Sequence, residues 1–221
     1  MNVLIIGASR GLGLEFVRQY RADGARVTAT ARDDAGLARL QQLGARALKL
    51  DVVQAASVSG LAWLIDGERF DVIVINAGVF SARTQGLQPP TEADFDLVMR
   101  TNVLGPMRLL PQVAEALAPG ARVAVLSSLM GSIAQRSNAS AWLYRASKAA
   151  VNSVMKDAAQ VLAGQATVVS LHPGWVRTDM GGEGADLAVD TSVADMRRLL
   201  AGLTPADSGG FFNHDGQRLP W

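Results

Sequence analysis

Residues 3–20 constrain this chain most: an apolar run, a glycine-rich turn and an amphipathic helix follow one another with no spacer. Val3, Leu4, Ile5 and Ile6 are continuously apolar, as expected of a strand in a parallel sheet covered on both faces. They lead directly into Gly7-Ala8-Ser9-Arg10-Gly11-Leu12-Gly13, after which Leu14, Phe16, Val17 and Tyr20 recur at helical spacing. Glycines let the chain bend sharply and let an anion approach the backbone. The helix that follows aims its free N–H groups at the same point. The spacing is Gly-x-x-x-Gly-x-Gly rather than the commoner Gly-x-Gly-x-x-Gly, but the strand–turn–helix context is that of a dinucleotide pyrophosphate site. A turn with a purely structural role is the alternative.

The alternation continues along the chain. A second strand, 26–31, ends in Thr30-Ala31-Arg32. In dinucleotide folds an acid near this point hydrogen-bonds the adenosine ribose and repels a 2′-phosphate. Ala31 supplies no acid, while Arg32 and Arg10 place two cations where a 2′-phosphate would lie, which favours NADP over NAD. Otherwise Arg32 is a solvated residue entering the helix over 35–43, with Asp33 and Asp34 as its N-terminal acids. A third strand over 45–50 closes on Asp51-Val52, and Asp51 either meets an adenine amino group or caps the helix expected from 54 to 65. A fourth strand, 71–75, ends in Asn76-Ala77-Gly78, whose small residues leave room for a cofactor against the backbone, while Asn76 can tie neighbouring loops. This pattern predicts an α/β fold: one Rossmann-like, doubly wound parallel sheet of about seven strands flanked by helices, spanning 1–221 as a single domain.

Bulk properties narrow the function. With 21 basic and 20 acidic residues and no basic block, nothing invites nucleic acid or a membrane surface. Cysteine is absent, which removes disulfides, a catalytic thiol and any thiolate metal site, and fits a reducing, cytoplasmic location. The first six residues lack a basic leader and are too short for an export signal or a membrane span. The two histidines, His172 and His214, make no credible metal site.

Tyr144-Arg145-Ala146-Ser147-Lys148 carries the clearest chemical signal. Tyrosine and lysine are scarce, the tyrosines being Tyr20 and Tyr144 and the lysines Lys49, Lys148 and Lys156. Four residues apart on a helix, Tyr144 and Lys148 share a face. A neutral phenol has a pKa of about 10, and a fixed ammonium beside it stabilises the phenolate, so the pair could exchange a proton with a carbonyl or alcohol oxygen. An ordinary amphipathic helix with an exposed lysine shows the same spacing.

The glycine turn, Asp51, Asn76-Ala77-Gly78 and Tyr144-x-x-x-Lys148, in this order, make the chain similar to the short-chain dehydrogenase/reductase family, in particular its C-factor-like and sniffer-like carbonyl reductases. The resemblance implies a nicotinamide cofactor held by Gly7, Ser9, Arg10, Gly11, Leu12, Gly13, Arg32, Asp51, Val52, Asn76, Ala77, Gly78, Tyr144 and Lys148. It implies hydride exchange between that cofactor, NADP(H) rather than NAD(H), and a small carbonyl or alcohol substrate. It also implies assembly as a homodimer or homotetramer.

A long helix is expected over 92–117, kinked by Gly105-Pro106. The resemblance gives its Asn102 the task of shaping the kink and positioning a water that leads to Lys148; satisfying backbone groups freed by Pro106 is the simpler alternative. The strand over 122–126 runs into Ser127-Ser128, where a hydroxyl can polarise a substrate carbonyl; the family's Ser-Ser-x-x-Gly pattern assigns this to Ser128, with Ser127 beside it. Residues 135–140 form a polar stretch longer than in many relatives, at the expected mouth of the pocket. A helix over 141–163, ending near Gly164, carries Tyr144 and Lys148. After a strand over 166–171, His172-Pro173-Gly174-Trp175-Val176-Arg177-Thr178 is similar to the family's nicotinamide loop, so Pro173, Gly174, Val176 and Thr178 are expected at the carboxamide, with His172 structural. Residues 180–195 are expected to form an irregular lid, with a last helix over 193–203. Phe80, Met130, Trp142, Trp175 and Met180 are candidates for the apolar lining. The rival to an enzyme is a NADP(H)-binding signalling or regulatory protein with little turnover.

Overall fold

The computed structural model describes residues 1–80, 84 and 86–221. In chain order it contains β1 (Asn2–Ile6), α1 (Gly11–Ala22), β2 (Arg26–Ala31), α2 (Asp34–Gln42), β3 (Arg46–Lys49), α3 (Ala55–Ser59), α4 (Leu61–Leu64), β4 (Phe70–Ile75), α5 (Glu92–Met99), α6 (Gly105–Val113), β5 (Leu117–Leu126), α7 (Trp142–Val161), β6 (Ala166–His172), α8 (Val189–Gly202) and β7 (Gly210–Asn213). The sheet has seven strands in the order β3-β2-β1-β4-β5-β6-β7, and every pairing is parallel.

Side chains alternate between the two faces, so each apolar strand feeds two cores. Val3, Ile5, Val74, Ala124 and Leu171 face α1 and α8, meeting Phe16, Val17, Val193 and Met196. Leu4, Ile6, Ile73, Val125 and Val168 face the opposite layer, with Leu61, Leu109, Val151 and Met155. Burial of each such side chain contributes about 1.5–3 kcal/mol, which is why the strands read as unbroken apolar runs. Connections from β1 and β4 leave towards opposite faces, and the crevice at their carboxyl ends is where such folds hold ligands.

Several expected boundaries differ. The segment expected as one helix over 54–65 is two short ones separated at Gly60. β5 begins at Leu117, not 122, and bulges: Leu117 pairs with Phe70 and Arg122 with Val72, Gly120 taking φ +72° on the way. The long helix expected over 92–117 is three pieces, α5, a π-helical turn Arg100–Leu104 and α6. The expected kink at Gly105-Pro106 is thus a widened turn just before them, since Pro106 has no N–H for the Asn102 carbonyl. α7 stops at Val161, and Gly164 reverses the chain with φ +79° only afterwards. α8 starts at Val189, so the irregular part of the expected lid is 180–188.

Candidate active site

The glycine turn is built by close approach. Gly7 has φ +84°, and a Cβ there would come within 2.7 Å of Ala77 Cα; one on Gly13 would lie 2.8 Å from Ala8 Cα. No other residue type fits either position without moving backbone. The Gly7 N–H donates to Thr30 Oγ1 at 3.0 Å, Ala8 N–H donates to the Thr30 carbonyl at 2.7 Å, and the Asn76 amide donates to the Gly7 carbonyl. Asn76 therefore ties β4 to the turn, as expected. Arg10 precedes α1 in extended conformation and its side chain makes no capping bond, so the first N–H groups of the helix face the cleft.

Around the glycine turn the charges are exposed. Arg10 pairs with Asp179 at 2.5 Å, with side chains 70% and 74% exposed. Arg32 lies on the cleft wall. Arg39, which the sequence did not flag, donates from Nε to the Ser9 carbonyl at 3.0 Å. It can do so because Gly36 lets α2 lie against the turn: a Cβ on Gly36 would sit 2.9 Å from Ser9 Cβ. Asp33 caps α2, accepting from Gly36 N–H at 2.6 Å. Asp51 accepts from Val53 N–H at 3.0 Å and its own N–H donates to Ser57 Oγ at 3.0 Å. One carboxylate oxygen is thus spent on a local turn while the residue also lines the cleft.

The Tyr144–Lys148 end is buried. Tyr144 and Lys148 are 6% and 5% exposed, on one face of α7 as their spacing predicts. Lys148 Nζ lies 5.6 Å from the Tyr144 ring centroid and donates to the Leu126 carbonyl at 2.7 Å. Burial lowers the Lys148 pKa to about 8. Burial also pushes the Tyr144 phenol up to about 12, and a hydrogen bond with the Ser128 hydroxyl draws it part of the way back. The Lys148 ammonium is docked on the Leu126 carbonyl, beside the ring, and is itself disfavoured by desolvation. The Phe80 ring packs on Tyr144 with centroids 4.5 Å apart at 43°.

Asn102, buried in the π-helical turn, uses its whole side chain. Its Oδ1 accepts from Val79 N–H at 2.9 Å; its Nδ2 donates to the Val79 carbonyl at 2.9 Å and to Ser147 Oγ at 3.0 Å. Ser147 in turn donates to the Tyr144 carbonyl at 2.8 Å. The side chain thus does not serve the backbone around Pro106; it joins the loop after β4 to the first turn of α7.

On the far wall, Pro173 accepts from Ser192 Oγ at 2.6 Å. Gly174 has φ +84°, and a Cβ there would lie 2.8 Å from Leu187 Cδ2. Val176 bridges to Leu187. Thr178 Oγ1 accepts from Gly181 N–H at 3.1 Å, and its methyl carbon is 3.6 Å from where a Gly11 Cβ would be, so Thr178 stands beside the glycine turn. Burial lowers the His172 pKa to about 4, which keeps it neutral at pH 7.

Most of the expected residues converge on one cleft of about 420 Å³, which also takes in Asp179, Arg177 and Val189, a size suited to a small-molecule site. Asn102 and Val176 are buried, Ser128 and Gly174 are partly exposed, and Ser127 is among the lining residues. Ser127 Oγ is buried without a hydrogen-bond partner among the described residues, while the Ser128 hydroxyl accepts from Met130 N–H at 3.1 Å. Among the described residues there is no group of three or more His, Cys, Asp or Glu side chains placed to hold a metal ion. No helix among them is long and apolar enough to cross a membrane.

The chain was compared with known proteins. Residues 1–186 match the short chain dehydrogenase family. C-signal of Myxococcus xanthus is 42% identical over 154 residues, covering 68% of this chain and 92% of that protein. A short-chain dehydrogenase/reductase of Burkholderia multivorans with bound NADP superposes with a TM-score of 0.91 at 33% identity, over 100% of this chain and 99% of that one. Carbonyl reductase Sniffer of D. melanogaster gives a TM-score of 0.89 at 29% identity, over 100% and 99%. A parallel seven-stranded sheet, a glycine turn at its switch point and a buried Tyr–Lys pair at the other end of one cleft agree with these likenesses, and the chain belongs to the short-chain dehydrogenase/reductase family of oxidoreductases, on its C-factor-like and sniffer-like branch.

Proposed function

We propose that the protein is an NADPH-dependent carbonyl reductase, or in reverse an alcohol dehydrogenase. The observation that carries this reading is the meeting of Ser128, Tyr144 and Lys148 at one end of a cleft whose other end is the glycine turn. The residues fit a dinucleotide: Gly7, Ser9, Gly11 and Leu12 line the cleft, and the N-terminus of α1 carries no side-chain cap. The turn, with Ser9, Gly11 and Leu12, would hold the pyrophosphate; Arg10 and Arg32 the 2′-phosphate; Asp51 and Val52 the adenine; Asn76, Ala77 and Gly78 the floor; and Pro173, Gly174, Val176 and Thr178 the nicotinamide wall. A bound NADPH supplies the hydride.

The chain's own groups manage the oxygen. Ser128 polarises the substrate carbonyl, and Tyr144 gives it a proton in reduction or takes one in oxidation. Lys148, fixed by Leu126, holds the ribose side and restores the phenol's proton. Asn102 fixes Val79 and the start of α7; its carbonyl, to which Pro106 cannot donate, is the group left to hold a relay water. Acid–base help of this kind is worth ~10²–10⁴-fold.

The test is loss of absorbance at the NADPH band over a panel of aldehydes, ketones and quinones, with NADH in parallel. Turnover with NADPH supports the reading, and equal rates with NADH count against the roles of Arg10 and Arg32. The likeness to C-signal favours a second reading, a NADP(H)-binding regulatory protein. Tight NADPH binding with no turnover across the panel would favour it.

A further inference from the structure

We infer that Trp221 is a positioning residue for Ser128, with residues 219–221 acting as a clamp on the segment that follows it; this rests on the role proposed above for Ser128. The sheet ceases to support the chain at Ser127, whose N–H donates to the Leu171 carbonyl at 2.7 Å. Ser128 then opens a single 3-10 turn, its hydroxyl accepting from Met130 N–H at 3.1 Å. Apart from the Ser128–Tyr144 contact, the long-range hydrogen bonds of residues 128–134 among the described residues all run to Pro220 and Trp221. Ser132 Oγ donates to the Pro220 carbonyl at 2.8 Å, with the Trp221 carbonyl at 3.2 Å as a second acceptor for the same hydrogen. Ile133 and Ala134 donate their N–H groups to the Trp221 carbonyl at 2.7 and 3.1 Å.

The neighbouring elements offer packing without polar ties. Gly131 lies against α7, where a Cβ would come 2.9 Å from the Lys148 carbonyl carbon. The amide of Asn152, one turn further along α7, and Ser170 Oγ on β6 are buried with no hydrogen-bond partner among the described residues. The clamp, by contrast, is itself anchored. Leu219 N–H donates to the Phe211 carbonyl at 2.8 Å, and the Trp221 ring stacks on Phe211 with centroids 5.5 Å apart at 15°. Phe211 belongs to β7 and is paired with Ser170 in the sheet. The stack fixes one carbonyl, that carbonyl fixes two N–H groups, and those fix the turn from which the Ser128 hydroxyl reaches Tyr144.

The test compares Trp221→Ala, Trp221→Phe and Ser132→Ala with the parent protein. It reads kcat and KM for the carbonyl substrate, the Kd of NADPH by fluorescence, and hydrogen exchange at the Ile133 and Ala134 amides. In Trp221→Ala, and in Ser132→Ala should the former not fold, exchange at both amides accelerates. In the same variants kcat falls about 10- to 100-fold, the scale of a small misplacement of a reacting group, while the Kd of NADPH is unchanged. Trp221→Phe keeps the stack and returns kcat to within about threefold of the parent. Unchanged exchange in Trp221→Ala overturns the clamp. A fall in kcat matched by an equal loss of NADPH affinity, or not rescued by phenylalanine, overturns the positioning role. Exchange and NADPH binding are read without turnover, so a parent protein inert towards carbonyls would count against the proposed reaction, and the amides alone would then decide the clamp.

Discussion

The two ends of the cleft solve different electrostatic problems. At the glycine-turn end Arg10 and Asp179 face solvent and pair with each other, where water and salt screen them. At the other end Tyr144 and Lys148 are almost wholly enclosed, and burial moves both pKa values. The difference teaches that the charges at one end are held only weakly and in a salt-dependent way, while at the other the ammonium is committed to a single carbonyl beside a buried hydroxyl, Ser127 Oγ, that has no partner among the described residues. Four substitutions put that contrast at risk.

The largest effect is expected from Tyr144→Phe: kcat falls ~10²–10⁴-fold with NADPH affinity little changed, measured by steady-state rates and fluorescence titration. Full activity in this variant sinks the mechanism. Lys148→Met should also abolish useful turnover, yet stabilise the fold at neutral pH. A lysine drawn from 10.5 when unfolded to about 8 when folded binds fewer protons in the native state. Parent stability therefore rises with pH between those values, and the native state is penalised below them. Allowing for the lost bond to Leu126, the variant gains on the order of 2 kcal/mol at pH 7. That advantage narrows above pH 8 and is gone beyond 10.5. Calorimetric melting across that range checks it, and a lower Tm at pH 7 would contradict it.

At the exposed end, Arg32→Ala should raise KM for NADPH about 10-fold, the scale of a solvent-facing charge-assisted contact, and leave KM for NADH unchanged. Equal effects on both cofactors would dissociate Arg32 from a 2′-phosphate. The smallest effect is expected from Asp179→Asn, which frees Arg10: NADPH should bind about twofold tighter at low salt, and the gain should vanish near 1 M salt. A gain that persists there would mean the pair is not the screened surface contact its exposure implies.

How much of this was legible in the sequence follows from the range of the interactions. The strands, the glycine turn and the Tyr144–Lys148 face declare themselves because period and spacing are local properties. Asn76 was readable too, since its strand and the turn are fixed by the fold. What escaped depends on contacts between distant residues. The pairing of Arg10 with Asp179 spans 169 positions, and the bonds from Asn102 to Val79 and Ser147 span 23 and 45. Spacing put Lys148 beside the phenol, but only burial and the Leu126 carbonyl show where its ammonium is docked. The break at Gly60 and the early start of β5 were misjudged because short apolar segments do not distinguish helix from strand by pattern alone.

The π-helical turn at Arg100–Leu104 has a consequence for chain length. It spends one residue more than an α-helical turn, so α5 and Asn102 are rotated by about 100° relative to α6 from where an unbroken α-helix would place them. Asn102 reaches Val79 because of that surplus residue. The stretch is therefore counted as well as spelled: side chains here can vary more safely than their number. A one-residue deletion would let the helix rewind and turn the amide away from the cleft, with every neighbouring side chain still chemically intact.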